Sequence, residues 1–542
     1  MNRLRLVAAS LLSWLLCASA IAASPRIFYT DITSGPNSGG EGDNGAYLSI
    51  FGKGFGVSRD AGTVSVGGGE VARYIVWSDE KVSVQIGPAA RSGDIVVSSS
   101  GGSATAPEGF TVRPGNFYFI ALDGSDRGGV KNDISRPFRT PNHVVRDLAE
   151  FAPGDFVVVR GGRYDLSEPA SNLVASTFLR ADKSGTAASP MAFLAYPGES
   201  VVIEQNQPNL GLFSNYVTIS HWVVANFRAS LNHCLGGNTL VQVGAVRLAD
   251  NTCTGNIPGR ISHMRIVNLD VDGHDVGGMC NGTKGYADGP INIGYGDNIK
   301  ILGNSIHNTG AQGGTDQRGH LIYIGATTNN VEIGWNRVHD IPHSRALIDV
   351  HTDDVGGNCY GHKRLTDITI HDNIVYNVAG QAIDLDGGTG DIRVYNNLIY
   401  NTPTADDHRY QDVIALRGSG GRLNATLYNN IVYANPNHAD QGWMLGIGWF
   451  SGSFCPERLT LYDNIFYVTD PQDFYVWFAG TCGERGNISS RNNIWHGSKH
   501  GLPAFRGAGD KDVKPVFRDP KAGDFQVLKK SQKGANPNAA PK

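Results

Sequence analysis

Charge is scarce in this chain: 18% of its 542 residues are Asp, Glu, Lys or Arg, and 46 basic against 50 acidic side chains leave a formal net charge of −4. A nucleic-acid binder needs a basic surface to neutralise phosphates, so that class is excluded. Hydrophobic residues at 40% are too many for a disordered chain and enough for a large core. The glycines follow no Gly-X-Y period, which excludes collagen. After residue 23 no apolar run is long enough to span a bilayer. Cysteine is limited to seven residues, and their spacing fits no zinc site. Glycine is abundant, at 70 residues, roughly twice its usual share of about 7%. High glycine with little charge points to many tight turns and an all-β chain.

Residues 1–23, MNRLRLVAASLLSWLLCASAIAA, join a basic start (Arg3, Arg5) to a short apolar stretch and a small-x-small site at Ala20-Ile21-Ala22. This is the pattern of a secretory signal. The mature chain is expected to be secreted or periplasmic, bacterial, monomeric and without a membrane span. Cys17 leaves with the signal; Cys234, Cys253, Cys280, Cys359, Cys455 and Cys482 remain. An even number in an exported chain suggests disulfides, with about 15 possible pairings.

Two units follow the signal. In residues 24–114, alternating segments such as Tyr47–Phe51, Thr63–Val66 and Asp94–Val97 read as short strands between glycine-rich turns. The run SGPNSGGEGDNGAYLSIFGKGFG, then VSVGG, WSDEKVSVQIGP and GFTV, resembles the IPT/TIG immunoglobulin-like domain. That resemblance implies a β-sandwich acting as a spacer or carbohydrate-contacting module. Arg113-Pro114-Gly115 reads as a hinge. Residues 115–542 open with FYFIALDGSDRGGVKNDISRPFRT, GDFVVVRGGRYDL and SGTAASPMAFLAYPGESVVIEQ, which resemble the entry of right-handed parallel β-helices of the polysaccharide-lyase kind. His143–Phe151 is the expected N-terminal cap, and PVFRDPKAGDFQVLKKSQKG resembles the closing segment of those proteins.

The repeat is visible in the residues themselves. LGNSIHN, GWNRVHD, HDNIVYN, YNNLIYN, YNNIVYA, YDNIFYV and RNNIWHG align Asn304, Asn336, Asn373, Asn397, Asn430, Asn464 and Asn493, with steps of 32, 37, 24, 33, 34 and 29 residues. Such a period signals stacked coils with loops of varying length. The aligned asparagines form an expected amide ladder, and His307, His339, Tyr376, Tyr400, Tyr433, Tyr467 and His496 an expected ring stack. Cys455 and Cys482 are 27 residues apart, about one coil. Neighbouring coils lie about 4.8 Å apart, within disulfide reach.

A second strand lies upstream of the asparagines: Ile291–Gly294, Ile322–Gly325, Ile348–His351, Ile383–Asp386, Ile414–Arg417 and Leu445–Gly448 precede Asn304 through Asn464 in turn. The alternating aliphatics face inward, so the residues between them form two outer columns. One is Asn292, Tyr323, Asp349, Asp384, Ala415, Gly446; the other is Gly294, Gly325, His351, Asp386, Arg417, Gly448. Flanking Gly and Ala leave an expected open groove for a long substrate.

Three chemistries fit. In β-elimination on an acidic, uronate-containing polysaccharide, His351 removes the C5 proton and Tyr323 protonates the leaving oxygen. Arg417, or Ca²⁺ on Asp349, Asp384 and Asp386, neutralises the sugar carboxylate; Asp349 also counts among the catalytic candidates, and Asp353 and Asp354 add acidity. Asp349-Val350-His351-Thr352-Asp353 also resembles the Asp-x-His-Asp stretch of mannuronan 5-epimerases, with Val350 and Thr352 in place of their Pro and Asp. In the second chemistry, resemblance to polygalacturonase-like glycosidases makes two of the aspartates acid and base. The third reading is a non-catalytic glycan-binding β-helix. For substrate contact the sequence offers Asn292 and the sugar-stacking candidates Trp449 and Trp477, with Trp443 nearby.

Overall fold

The computed structural model describes residues 24–165, 177–179, 183–205, 211–213, 220–231, 241–243, 261–273, 290–294, 296–309, 320–325, 328–341, 346–351, 365–387, 390–402, 412–418, 423–434, 443–448, 455–472, 476–480, 482, 486–499 and 501–528. The signal segment, Asp353, Asp354, Trp449, Cys234, Cys253, Cys280 and Cys359 lie outside them.

Strands from successive coils stack into three parallel sheets of 12, 11 and 10 strands among the described residues. One coil runs through Asn329–Gly334, Arg337–Ile341 and Ala346–His351, each strand in a different sheet. This is a right-handed parallel β-helix, and its interior is filled by aliphatic columns from all three sheets, including Ile333, Val338 and Ile348.

The turn between the first two strands of each coil explains the repeat. It holds two residues, and the first adopts the left-handed conformation: Asn268, Gly303, Asp372, Asn396, Asn429, Asp463 and Asn492 have φ between 51° and 64°. Glycine, asparagine and aspartate tolerate that region best. From Gly303 onward the second residue is the ladder asparagine; after Asn268 it is Leu269, whose N donates to Asn304 Oδ1. Asn336 shows the pattern: its Nδ2 donates to the Ile301 carbonyl and to Asn373 Oδ1, while its own Oδ1 accepts from Asn304 N and Nδ2. The ladder ends on Asp510, whose Oδ1 accepts from Asn493 N at 2.7 Å. The expected rings also stack, for example His307 on His339 and His339 on Tyr376, both at 5.0 Å.

The N-terminal end is plugged by one π-helical turn, His143–Asp147, shorter than the stretch read as a cap. Val144, Val145 and Phe151 enter the core there. The hairpin Phe517–Asp519/Asp524–Val527 packs its Phe517 and Phe525 on Leu398, Ile431 and Ile465 of the 11-stranded sheet. It covers a flank of the solenoid, where the sequence suggested a cover for the last coil.

Residues 26–105 form two antiparallel four-stranded sheets, a β-sandwich. The sandwich is docked against the β-helix, which corrects the reading of a spacer on a hinge. Phe156, Val158, Ala192, Leu194, Ala225 and Leu302, all on the outer face of the 12-stranded sheet, share one core with Phe28, Tyr47 and Phe110 of the sandwich. Arg113, read as part of a hinge, is 7% exposed and donates to Ser34 Oγ and to the carbonyls of Pro114, Gly154 and Pro190. Arg265 donates to the carbonyls of Asp31 and Thr30 and to Glu108. Trp335 occupies the left-handed turn position at φ 57°, unusual for a bulky side chain. It is held there by Tyr29 at 5.2 Å and His371 at 4.6 Å between ring centroids. Its neighbour in the column must be glycine, because a Cβ on Gly303 would lie 1.6 Å from Tyr29 Oη.

Cys455 and Cys482 form a disulfide across adjacent coils with a Cα–Cα distance of 5.2 Å. Closing a 27-residue loop restricts the unfolded chain by about 3.5 kcal/mol on the chain-entropy estimate. The Cys455→Ser/Cys482→Ser variant is therefore expected to lose about that much stability in denaturant titration.

Candidate active site

The ten-stranded sheet carries the polar columns. Its strands pair in the register Asn292–Tyr323–Asp349–Asp384–Ala415–Gly446, and beside it Gly294–Gly325–His351–Asp386–Arg417. Ile322, Ile324, Ile348, Val350, Ile383 and Leu385 fill the interior. The polar side chains between them therefore share the opposite, outer face.

That face is not an open groove at these positions. Asp349 is 0% exposed, Asp384 1%, Asp386 3%, Arg417 4% and Tyr323 7%. Buried charges require partners, and each carboxylate has one. His320 Nδ1 lies 2.7 Å from Asp349 Oδ2, His351 Nε2 lies 3.4 Å from Asp386 Oδ2, and Arg417 Nη1 donates to Asp384 Oδ2 at 2.8 Å. Three rings stand in a row, with Tyr323 5.3 Å from the His320 ring and 6.1 Å from the His351 ring.

This pairing bears on the expected calcium site. Asp349, Asp384 and Asp386 do not converge on one point; each is engaged by a different cationic or imidazole side chain. Among the described residues no three His, Cys, Asp or Glu side chains are grouped to hold a metal ion. As they stand, the three carboxylates do not fit a Ca²⁺ cage, and no step below passes through one.

His320, Gln381 and Asp412 were missed by the sequence reading, and they form a third column. His320 pairs with Ala346 and Ala346 with Gln381, and Gln381 Nε2 donates to Asp412 Oδ2 at 3.5 Å. Asp412 leans over Gly446: a Cβ there would lie 2.1 Å from Asp412 Oδ2. Burial pushes the Asp412 carboxyl up to about 7; Arg417 opposes the rise and the Asp384 charge adds to it. Asn292 is half-buried one coil before Tyr323. The Trp477 backbone pairs with Gly446, and its side chain lies outside the described residues.

No family model matches the chain, and no curated protein matches it. Solved structures do. Pectate lyase Pel9A is 11% identical with a TM-score of 0.41, covering 70% of this chain and 79% of its own. A rhamnogalacturonan lyase is 14% identical with a TM-score of 0.42, covering 77% and 94%. A lacto-N-biosidase from Eubacterium ramulus is 12% identical with a TM-score of 0.33, covering 73% and 65%. The three sheets of this chain define its architecture independently of these likenesses.

Proposed function

We propose that the chain is an exported enzyme that cleaves a uronate-containing polysaccharide by β-elimination. The observation that carries this reading is the row His320–Tyr323–His351 with a carboxylate behind each imidazole. Elimination needs a base for the C5 proton and an acid for the departing glycosidic oxygen, held close together. His351 is the base, and Asp386, 3.4 Å from its Nε2, stabilises the imidazolium that forms when it takes the proton. Tyr323 is the acid, and His320, backed by Asp349, supports the phenol. Arg417 already shares its charge with Asp384, so it serves as a hydrogen-bond donor that orients the sugar carboxylate. The cross-coil disulfide supports an oxidising compartment and hence export.

The test is incubation with alginate, pectate and glycosaminoglycans. New ultraviolet absorbance from an unsaturated product is expected. New reducing ends without absorbance would mean hydrolysis, and altered uronate composition without chain cleavage would mean epimerisation. Because each carboxylate is already paired, a chelator is expected to leave the rate unchanged.

One observation favours hydrolysis as the second reading. Asp412 and Asp384 have different surroundings: Arg417 Nη1 donates to the Asp384 carboxylate, while burial keeps Asp412 protonated up to about pH 7. Such a difference assigns acid and base roles in glycosidases. If Asp412 is the acid, activity is full below about pH 7 and falls as pH rises and Asp412 ionises. Asp412→Asn would then remove this alkaline limb together with most of the activity. Under elimination by Tyr323, the Asp412→Asn rate stays within a few fold of the parent, and no limb near pH 7 is lost.

A further inference from the structure

The outer face of the 12-stranded sheet changes character where the sandwich ends. Up to Leu302 its outer face carries apolar residues covered by the sandwich, and Arg265 and Lys300 there are ion-paired to Glu108. Beyond it, one column reads Glu332–Thr369–Arg393–Thr426–Thr460–Ser489 and the next His371–Tyr395–Tyr428–Tyr462–Arg491. The four rings of the second column stack at 4.8–5.0 Å, with interplanar angles of 4–14°. Trp335 meets His371 edge-on at one end, and the Arg491 guanidinium lies 4.2 Å over Tyr462 at the other. The ring faces are thus occupied by one another. Side chains stand roughly perpendicular to a sheet, so the tyrosines present a row of hydroxyls one coil apart.

At the sandwich edge this surface deepens into a groove of about 520 Å³, lined by Asn330, Trp335, Thr369, Arg393, Tyr395 and Tyr428 among others. That volume lies within the range of small-ligand sites. The deeper charges are committed to one another: Lys300 and His371 to Glu332, and His371 to Asp372. Arg393 and Arg491 are exposed. Arg393 donates to the Thr369 hydroxyl at 3.2 Å, and among the described residues neither arginine forms a salt bridge. Asp367, also exposed, lines the same groove.

We infer that this face is a second, non-catalytic binding surface for an acidic polysaccharide, whose carboxylates meet Arg393 and Arg491 and whose ring hydroxyls meet the tyrosine row. Guanidinium groups recognise carboxylates through paired donors, and a regular row of phenols suits a polymer with a regular repeat. The inference rests on the proposed substrate class and extends it. A chain held here and on the ten-stranded sheet is retained by two sites at once, which raises the apparent affinity for polymer over short oligomer.

The test is native electrophoresis of the intact protein through gels cast with alginate or pectate. The parent protein is expected to be retarded. Arg393→Gln/Arg491→Gln is expected to weaken the apparent affinity about tenfold, the scale of two modest ion pairs. Turnover of a short uronate oligomer should be unchanged. Tyr428→Phe, which keeps the ring stack and removes one hydroxyl, should weaken retardation by a smaller factor. Equal retardation of the double variant and the parent overturns the inference, as does an absence of retardation in the parent. His351→Ala separates the two ideas. If it is retarded like the parent while the arginine variant is not, the surface stands whether or not the elimination reading survives.

Discussion

Replacing His351 with alanine is expected to lower turnover of a polyuronate by about 100- to 10,000-fold, the usual range for removing a positioned general base, while the melting temperature stays close to that of the parent. The expectation follows from placement. The His351 side chain is 12% exposed on the outer face, with one nitrogen 3.4 Å from Asp386, and the aliphatic core behind it is formed by other residues. Tyr323→Phe is expected to cost as much, because it removes the only proton this ring can give. Asp386→Asn should cost less: an amide can still hold the imidazole, but it does not stabilise the imidazolium that forms on proton abstraction. Rates on polymer, with unsaturated product as the readout, check all three. Full activity in His351→Ala would remove it from the base role and return attention to Asp384 and Asp412.

His351 and Tyr323 were legible in the sequence for a specific reason. In Ile322-Tyr323-Ile324 and Ile348-Asp349-Val350-His351 the aliphatics alternate strictly, so parity alone separates inside from outside. His320, Gln381 and Asp412 were not legible, because parity fails at the strand starts. Leu321 and Ile322 both enter the core, as do Leu347 and Ile348, Ala382 and Ile383, and Val413 and Ile414. Two successive inward residues flip the preceding position to the outer face. By strict alternation His320 and Asp412 belong inside. The recurring aliphatic doublet behind a polar residue was the available signal.

The sandwich dock was written in a similar way. Phe156–Val159, Met191–Ala195 and Trp222–Ala225 are apolar on both faces, the mark of a strand covered on both sides. Asp391–Tyr395, past the sandwich, alternates buried and exposed. The partners that bury Asp349 and Asp384 could not be read, because ion pairs between coils depend on side-chain reach across the sheet and on bends at the strand starts.

The largest stability effect is expected in the asparagine ladder. Asn397 is 0% exposed. Its Nδ2 donates to the Ile370 carbonyl at 2.9 Å and to Asn430 Oδ1 at 3.0 Å, and its Oδ1 accepts from Asn373 N at 3.0 Å and Asn373 Nδ2 at 2.9 Å. Asn397→Ala removes all four bonds and strands polar atoms on both neighbouring coils. A buried group left unsatisfied costs about 1–3 kcal/mol, so a total loss of about 4 kcal/mol is expected in denaturant titration. Asn397→Asp is the sharper probe. It keeps an acceptor for Asn373, yet turns a carboxylate oxygen toward the Ile370 carbonyl and Asn430 Oδ1, where donors are needed. It should therefore destabilise at least as much as alanine despite its nearly identical shape. Asn424→Ala, at a half-buried position whose amide reaches Glu457 at 3.4 Å, is the control and should stay within about 0.5 kcal/mol of the parent. If Asn397→Ala proves as mild as that control, the ladder bonds contribute little, and the left-handed turns with the aliphatic columns must hold the coils in register.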